Sequence, residues 1–157
     1  MNLNNVIELQ ALADSDCQPN QCWRNVSRKV KRDGGKPATG WAIGFRGEIT
    51  ELCPHVVWVS PQGNLLEITP HWILSEDGKV AEVVLRNGQP FLPDKQVRPG
   101  SHAIFWYEGP DKRYTEAIAF LELSSKHFRR RQKNASRRSL CRAYELIEQA
   151  QANPLAA

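Results

Sequence analysis

A chain of 157 residues with a formal charge of +4 suits one domain, large enough to bury a core without disulfide staples. No stretch approaches the roughly 20 apolar residues of a membrane span, and the N-terminus MNLNNVIELQ lacks the basic and apolar regions of a secretory leader. The expectation is a cytoplasmic protein with reduced thiols at Cys17, Cys22, Cys53 and Cys141 and no membrane partner.

Along the chain, Val6, Ile7, Leu9 and Leu12 recur at near-helical spacing and predict a short helix over 3–13. The segment DSDCQPN ends it. Asn20 then reads as the N-cap of a second helix, with Trp23, Val26 and Val30 on one stripe and Arg24, Arg28 and Arg32 on another, stopped by Gly34-Gly35. Five short apolar runs follow, at 39–45, 55–60, 65–69, 79–86 and 101–109, separated by the turns PQGN, SEDGK and RNGQP. Residues 113–125 fit either helix or strand, and 135–151 is amphipathic, with Leu140, Tyr144 and Ile147 on one face. The sum is an α+β fold: N-terminal helices packed on a mostly antiparallel sheet of about five strands, then a C-terminal helix. A core over 1–125 is followed by a basic segment and helix over 126–157, part of the same domain or appended to it.

The position of Cys22 bears on chemistry. A thiol at the start of a helix meets the positive end of the macrodipole, which favours thiolate. Thiol catalysis also needs a base within hydrogen-bond reach and a third group to orient that base. His55 opens the run HVVWV, and Glu67 lies in LLEIT. If PQG (61–63) is a three-residue hairpin loop with Gly63 at its left-handed position, Ser60 pairs with Asn64 and Val57 with Glu67. His55 then pairs with Thr69 and shares a sheet face with Glu67 on the diagonal. A two-residue loop would turn Glu67 to the other face.

Blander readings stand beside this one. Cys22 is equally a small buried hydrophobe, His55 a strand-edge donor, and Glu67 the outward side chain of a half-buried strand. Cys17, Cys22, Cys53 and His55 offer a C-x4-C, C-x-H donor set for zinc, with spacing unlike the usual C-x2-C knuckles, so no metal is expected. His102, opening HAIFWY, is the reserve base. His71 and Trp72 follow Pro70 and either line a cleft or close over the core. The five tryptophans read as core anchors. Phosphate-binding and dinucleotide fingerprints are absent from the sequence, and no cofactor is called for.

The order of QCW at 21–23, GWAIGF at 40–45 and HVVWVSPQGNLLEITP at 55–70 resembles the papain-like superfamily in its broad sense. The transglutaminase-like and bacterial cell-wall-peptidase-like branches are the most similar. That resemblance covers about a third of the chain. It implies a thiol-dependent hydrolase or acyl/amide transferase with Cys22 as nucleophile, His55 as base and Glu67 orienting the imidazole, acting on a protein or peptide-like substrate. Gln18 and Gln21 are the candidate oxyanion donors, beside the backbone N–H of Cys22. The alternative is a non-catalytic module that uses Lys126, Arg129, Arg130, Arg131, Lys133, Arg137 and Arg138 on nucleic acid or an acidic protein partner. These seven cations have no acid among them and leave the rest of the chain at −3. A block of like charge is more often a solvated helix face or mobile connector. The oligomeric state is not legible.

Overall fold

The structure is a computed structural model and describes residues 5–74, 80–130 and 132–154. Among these, eight strands and three helices follow in the order β1 (Ile7–Ala11), α1 (Cys22–Asp33), β2 (Lys36–Arg46), β3 (Ile49–Val59), β4 (Leu65–Glu67), β5 (His71–Leu74), β6 (Val80–Val84), β7 (Gln89–Pro93), β8 (Ile104–Trp106), α2 (Lys112–Arg129) and α3 (Lys133–Ala152). The α+β class and the mostly antiparallel sheet hold. Five strands, β2-β7-β1-β4-β3, are paired in that order, and β3 pairs back onto β2, which closes them into a barrel. Closure removes the edges that an open sheet would have to protect.

Several expectations need correcting. The helix expected over 3–13 is not found in its described part: Ile7–Ala11 is a barrel strand, antiparallel to β7 and parallel to β4. Only Leu9 of that strand is buried, so its spaced apolar residues never formed a helical stripe. Asn20 is not a cap. It has a left-handed φ of 57°, and Gln21 occupies the N-cap of α1 without a side-chain cap bond. β5 and β7 are additions to the expected strands: Pro90 falls in the expected turn RNGQP, and His71 and Trp72 read as lining a cleft or closing over the core. The ambiguous 113–125 is helical, within α2, and 135–151 lies in α3 as predicted. The turn SEDGK lies outside the described residues.

The chain forms two compact units. The first comprises residues 1–43 and 54–101. Within it, period-two alternation on β3 divides the packing. Val56 and Trp58 join Val26 of α1 and Ile68, with Cys22, Trp23 and Val30 against them. Val57 joins Leu9 and Phe91 on the other side. Gly35 matters to this arrangement. At φ 78° its backbone runs so close to β3 that a Cβ would lie 2.2 Å from the Val59 carbonyl oxygen, and no larger residue fits.

The second unit comprises residues 44–53 and 102–157. There Thr50–Leu52 pair with Ile104–Trp106. α2 and α3 pack through Ala117, Leu121, Ala143, Leu146, Ile147 and Ala150, with Ile49 and Tyr114 completing the cluster. The residues from 126 onward fall in this unit with 102–125. No described helix is long and apolar enough to cross a membrane.

Candidate active site

The PQG turn sets the register of the site. Ser60 N–H donates to the Asn64 carbonyl at 2.9 Å, Gly63 N–H to the Ser60 carbonyl at 2.9 Å, and Gly63 has a φ of 90°. Trp58 pairs with Leu66 and Val59 with Leu65, the register expected of a three-residue loop. His55 therefore shares the face of Val57, and Glu67 that of Leu65, both turned toward the Leu9, Val57, Phe91 cluster. The His55 ring lies edge-on to Phe91 with centroids 6.4 Å apart.

Glu67 is wholly buried, with 0% of its surface exposed, so the outward reading of this strand residue does not hold. A buried carboxylate must be fully hydrogen-bonded, and this one is. Its Oε2 lies 2.6 Å from His55 Nε2, and its Oε1 accepts the Thr69 N–H at 2.7 Å. The His55 ring has a second polar partner, the Cys22 thiol. Burial alone would disfavour the charged imidazole, but hydrogen bonds to Cys22 and Glu67 and their negative charge outweigh it, raising the His55 pKa to about 10.

Cys22 is the first residue of α1 and half-buried. Its approach is fixed by Asn25, a residue that no sequence motif singles out. Asn25 is 1% exposed. Its Oδ1 accepts the Gln18 N–H at 3.0 Å, and its Nδ2 donates to the Gln18 carbonyl at 2.8 Å and to Thr69 Oγ1 at 3.3 Å. One side chain thus ties the segment before Cys22 to the residue that positions Glu67. Asn20 N–H adds a bond to the Pro70 carbonyl at 2.9 Å. Farther along α1, Lys29 and Arg32 pair with Asp14. Arg32 and then Lys29 hold the Asp14 carboxyl down at about 2 despite its partial burial. The same network anchors the segment that carries Cys17, whose thiol burial, reinforced by Asp14, pushes up to about 11.

His71, at the start of β5, stands beside this group. Its ring centroid is 5.9 Å from that of His55, its Nε2 is buried without a hydrogen-bond partner, and burial pushes its pKa down. One donor atom from each of His55, Glu67 and His71 lies within 4.8 Å of the others, and no cysteine belongs to that group. The Cys17, Cys22, Cys53, His55 zinc set is thus not what the described residues assemble. Cys53 instead donates to Glu51 Oε1 at 3.2 Å, and none of the four cysteines is in a disulfide.

The remaining candidates are less engaged. Gln18 and Gln21 are exposed, and Gln21 Oε1 accepts from Arg24 at 3.4 Å. His102 is exposed and belongs to the second unit. Of the basic segment, Lys126, Arg130, Arg137 and Arg138 are exposed, while Arg131 and the side chains of Arg129 and Lys133 lie outside the described residues. No protein-family model, curated protein or solved structure matches the chain.

Proposed function

We propose that the protein is a thiol-dependent hydrolase or acyl/amide transferase, with Cys22 as nucleophile, His55 as its acid/base partner and Glu67 as the orienting carboxylate. One observation carries this reading. An imidazole is held between a helix-start thiol and a wholly buried carboxylate whose second oxygen is fixed by backbone. Such an arrangement fixes ring orientation and tautomer and stabilises the imidazolium that a thiolate requires. The resemblance to transglutaminase-like domains supports the same roles.

In the proposed reaction the Cys22 thiolate attacks the acyl carbon of an amide. The S–C bond forms as the carbonyl electrons move to oxygen. The His55 imidazolium then gives its proton to the departing nitrogen as the C–N bond breaks, which leaves a thioester and a neutral imidazole. Water or an amine, deprotonated by that imidazole, attacks the thioester and returns the thiol pair to its starting state. Asn25 N–H bonds to the Gln21 carbonyl and is the first to close the helical ladder. The N–H groups of Cys22, Trp23 and Arg24 are therefore left to stabilise the oxyanion. A groove of about 290 Å³, lined by Trp23, Val26, Val30, Pro37 and Val56, lies on the Val56 face of β3 along α1. Its lining suits an apolar side chain of a peptide-like substrate.

The test uses p-nitrophenyl acetate, an activated acyl donor that needs no knowledge of the natural substrate. The expected result is a burst of about one equivalent of p-nitrophenol with acetyl found on Cys22 by peptide mapping, absent in Cys22→Ser. Acetylation of Cys141 or lysines with Cys22 unmodified removes the reading.

A second reading rests on α3, where Asn134, Arg137, Arg138, Cys141, Arg142 and Glu145 line one open groove. Three guanidinium groups to one acid favour a polyanion, and nucleic acid supplies such a surface.

A further inference from the structure

We infer that His55, Glu67 and His71 form a binding site for a single divalent transition metal of the zinc class, and that metal and thiol chemistry exclude each other there. The first half stands on geometry alone, and the second rests on the thiol reading proposed above. Two imidazoles and a carboxylate, each with a donor atom within 4.8 Å of the other two, make the three-ligand set that leaves zinc a fourth, open position. Calcium and magnesium demand oxygen donors, so the nitrogen ligands select against them.

An independent observation points to a ligand. Buried polar atoms in folded proteins are nearly always satisfied, yet His71 Nε2 is buried and has no partner, and among the described residues it alone has this status. A metal ion would satisfy it. Tetrahedral zinc, with bonds of about 2.1 Å, holds its ligand atoms about 3.4 Å apart. The present 2.6 Å between His55 Nε2 and Glu67 Oε2 is shorter than that, and 4.8 Å is the outer limit of the group. Side-chain adjustments of roughly an ångström therefore convert the hydrogen-bonded pair into a coordination set. The outer shell is already in place. Thr69 N–H holds the other oxygen of Glu67, and Asn25 holds the Thr69 hydroxyl.

Exclusion follows from shared atoms. An ion held by His55 and Glu67 breaks the hydrogen bond between them, and with it the orientation of the ring that the thiol reading requires.

Cobalt(II) is the probe, because its visible spectrum reports geometry and its near-ultraviolet spectrum reports thiolate ligation. The native chain is expected to bind one cobalt per molecule with tetrahedral d–d bands and no sulfur-to-cobalt charge-transfer band. Cys22→Ser should bind equally well, whereas His71→Ala and His71→Gln should each bind at least about tenfold more weakly. Zinc should displace cobalt and slow alkylation of Cys22 in the native chain but not in the His71 variants. Binding that both His71 variants leave intact, a charge-transfer band that Cys22→Ser abolishes, or no stoichiometric binding would overturn the site. Two His71 variants guard against one failing to fold, which thermal melting checks. Slow alkylation of Cys22 without metal would defeat the thiol reading and leave the cobalt result standing.

Discussion

Glu67 shows how one buried charge can organise a site. Its two oxygens are shared between Thr69 N–H and His55 Nε2, so its orientation is imposed by backbone rather than by a mobile partner. Glu67→Gln keeps the shape and the Thr69 bond but removes the charge. Alkylation of Cys22 at pH 7 should slow by roughly tenfold, because the imidazole loses the carboxylate that orients it and favours its charged form. Native-like near-ultraviolet circular dichroism with unchanged alkylation would show Glu67 to be merely structural. The raised pKa of His55 also makes stability depend on pH. An imidazole that titrates at 6.5 when unfolded and at about 10 when folded adds stability in full below about pH 6.5. That contribution is lost as pH rises through about 10. Urea midpoints measured from pH 6 to 10 should fall more steeply for the native chain than for His55→Gln. At this scale the sequence was informative where a local rule applied. Pro61, Gln62 and Gly63 specify a loop length, the loop specifies the register, and the register brings His55 and Glu67 to one face. Asn25 carried no such signal, because a polar residue on a helix reads as exposed until the segment it binds is known. His71 was noticed only as a companion of Pro70.

Among the elements, the segment leading into α1 and the first turns of that helix form the functional unit. Asn20 does not cap α1; Asn25, from inside the helix, instead holds the segment before it through the Gln18 backbone. Asn25→Ala should cost about 1–2 kcal/mol, since it leaves the part-buried Gln18 N–H without its partner and removes the bonds to the Gln18 carbonyl and Thr69 Oγ1. It should also slow alkylation of Cys22 while leaving the His55 to Glu67 pair intact. Chemical denaturation together with alkylation kinetics checks both, and a loss of stability without a change in alkylation would show that Asn25 does not position the thiol. The strands missed from sequence share a physical cause. β1 owes its conformation to β7 and to the parallel partner β4, more than 50 residues away, and its own pattern of one buried residue in five is too sparse to declare a period. β7 carries Pro90 and Pro93, which argue against an interior strand. It is nonetheless paired on both sides, to β1 and to β2.

For the whole molecule, the +4 charge is a fact of distribution. Arg137 and Arg138 are exposed on α3 in a groove they share with Arg142, and these arginines provide the test of the polyanion reading. If that groove binds duplex DNA, the log–log salt slope should shrink by about 2 in Arg137→Ala/Arg138→Ala, roughly one for each phosphate no longer neutralised. Fluorescence anisotropy at several salt concentrations measures it, and an unchanged slope would remove that reading. The thiol account faces its most direct test when all four cysteines of the native chain compete for one reagent. Limiting iodoacetamide is applied at intervals from pH 5 to 9, and the labelled sites are mapped by mass spectrometry. Cys22 should react first at every pH, because a thiol at a helix start beside an imidazole is the most reactive of the four. His55→Gln should remove that preference. First labelling of the exposed Cys141, with Cys22 protected until the chain unfolds, would contradict the account.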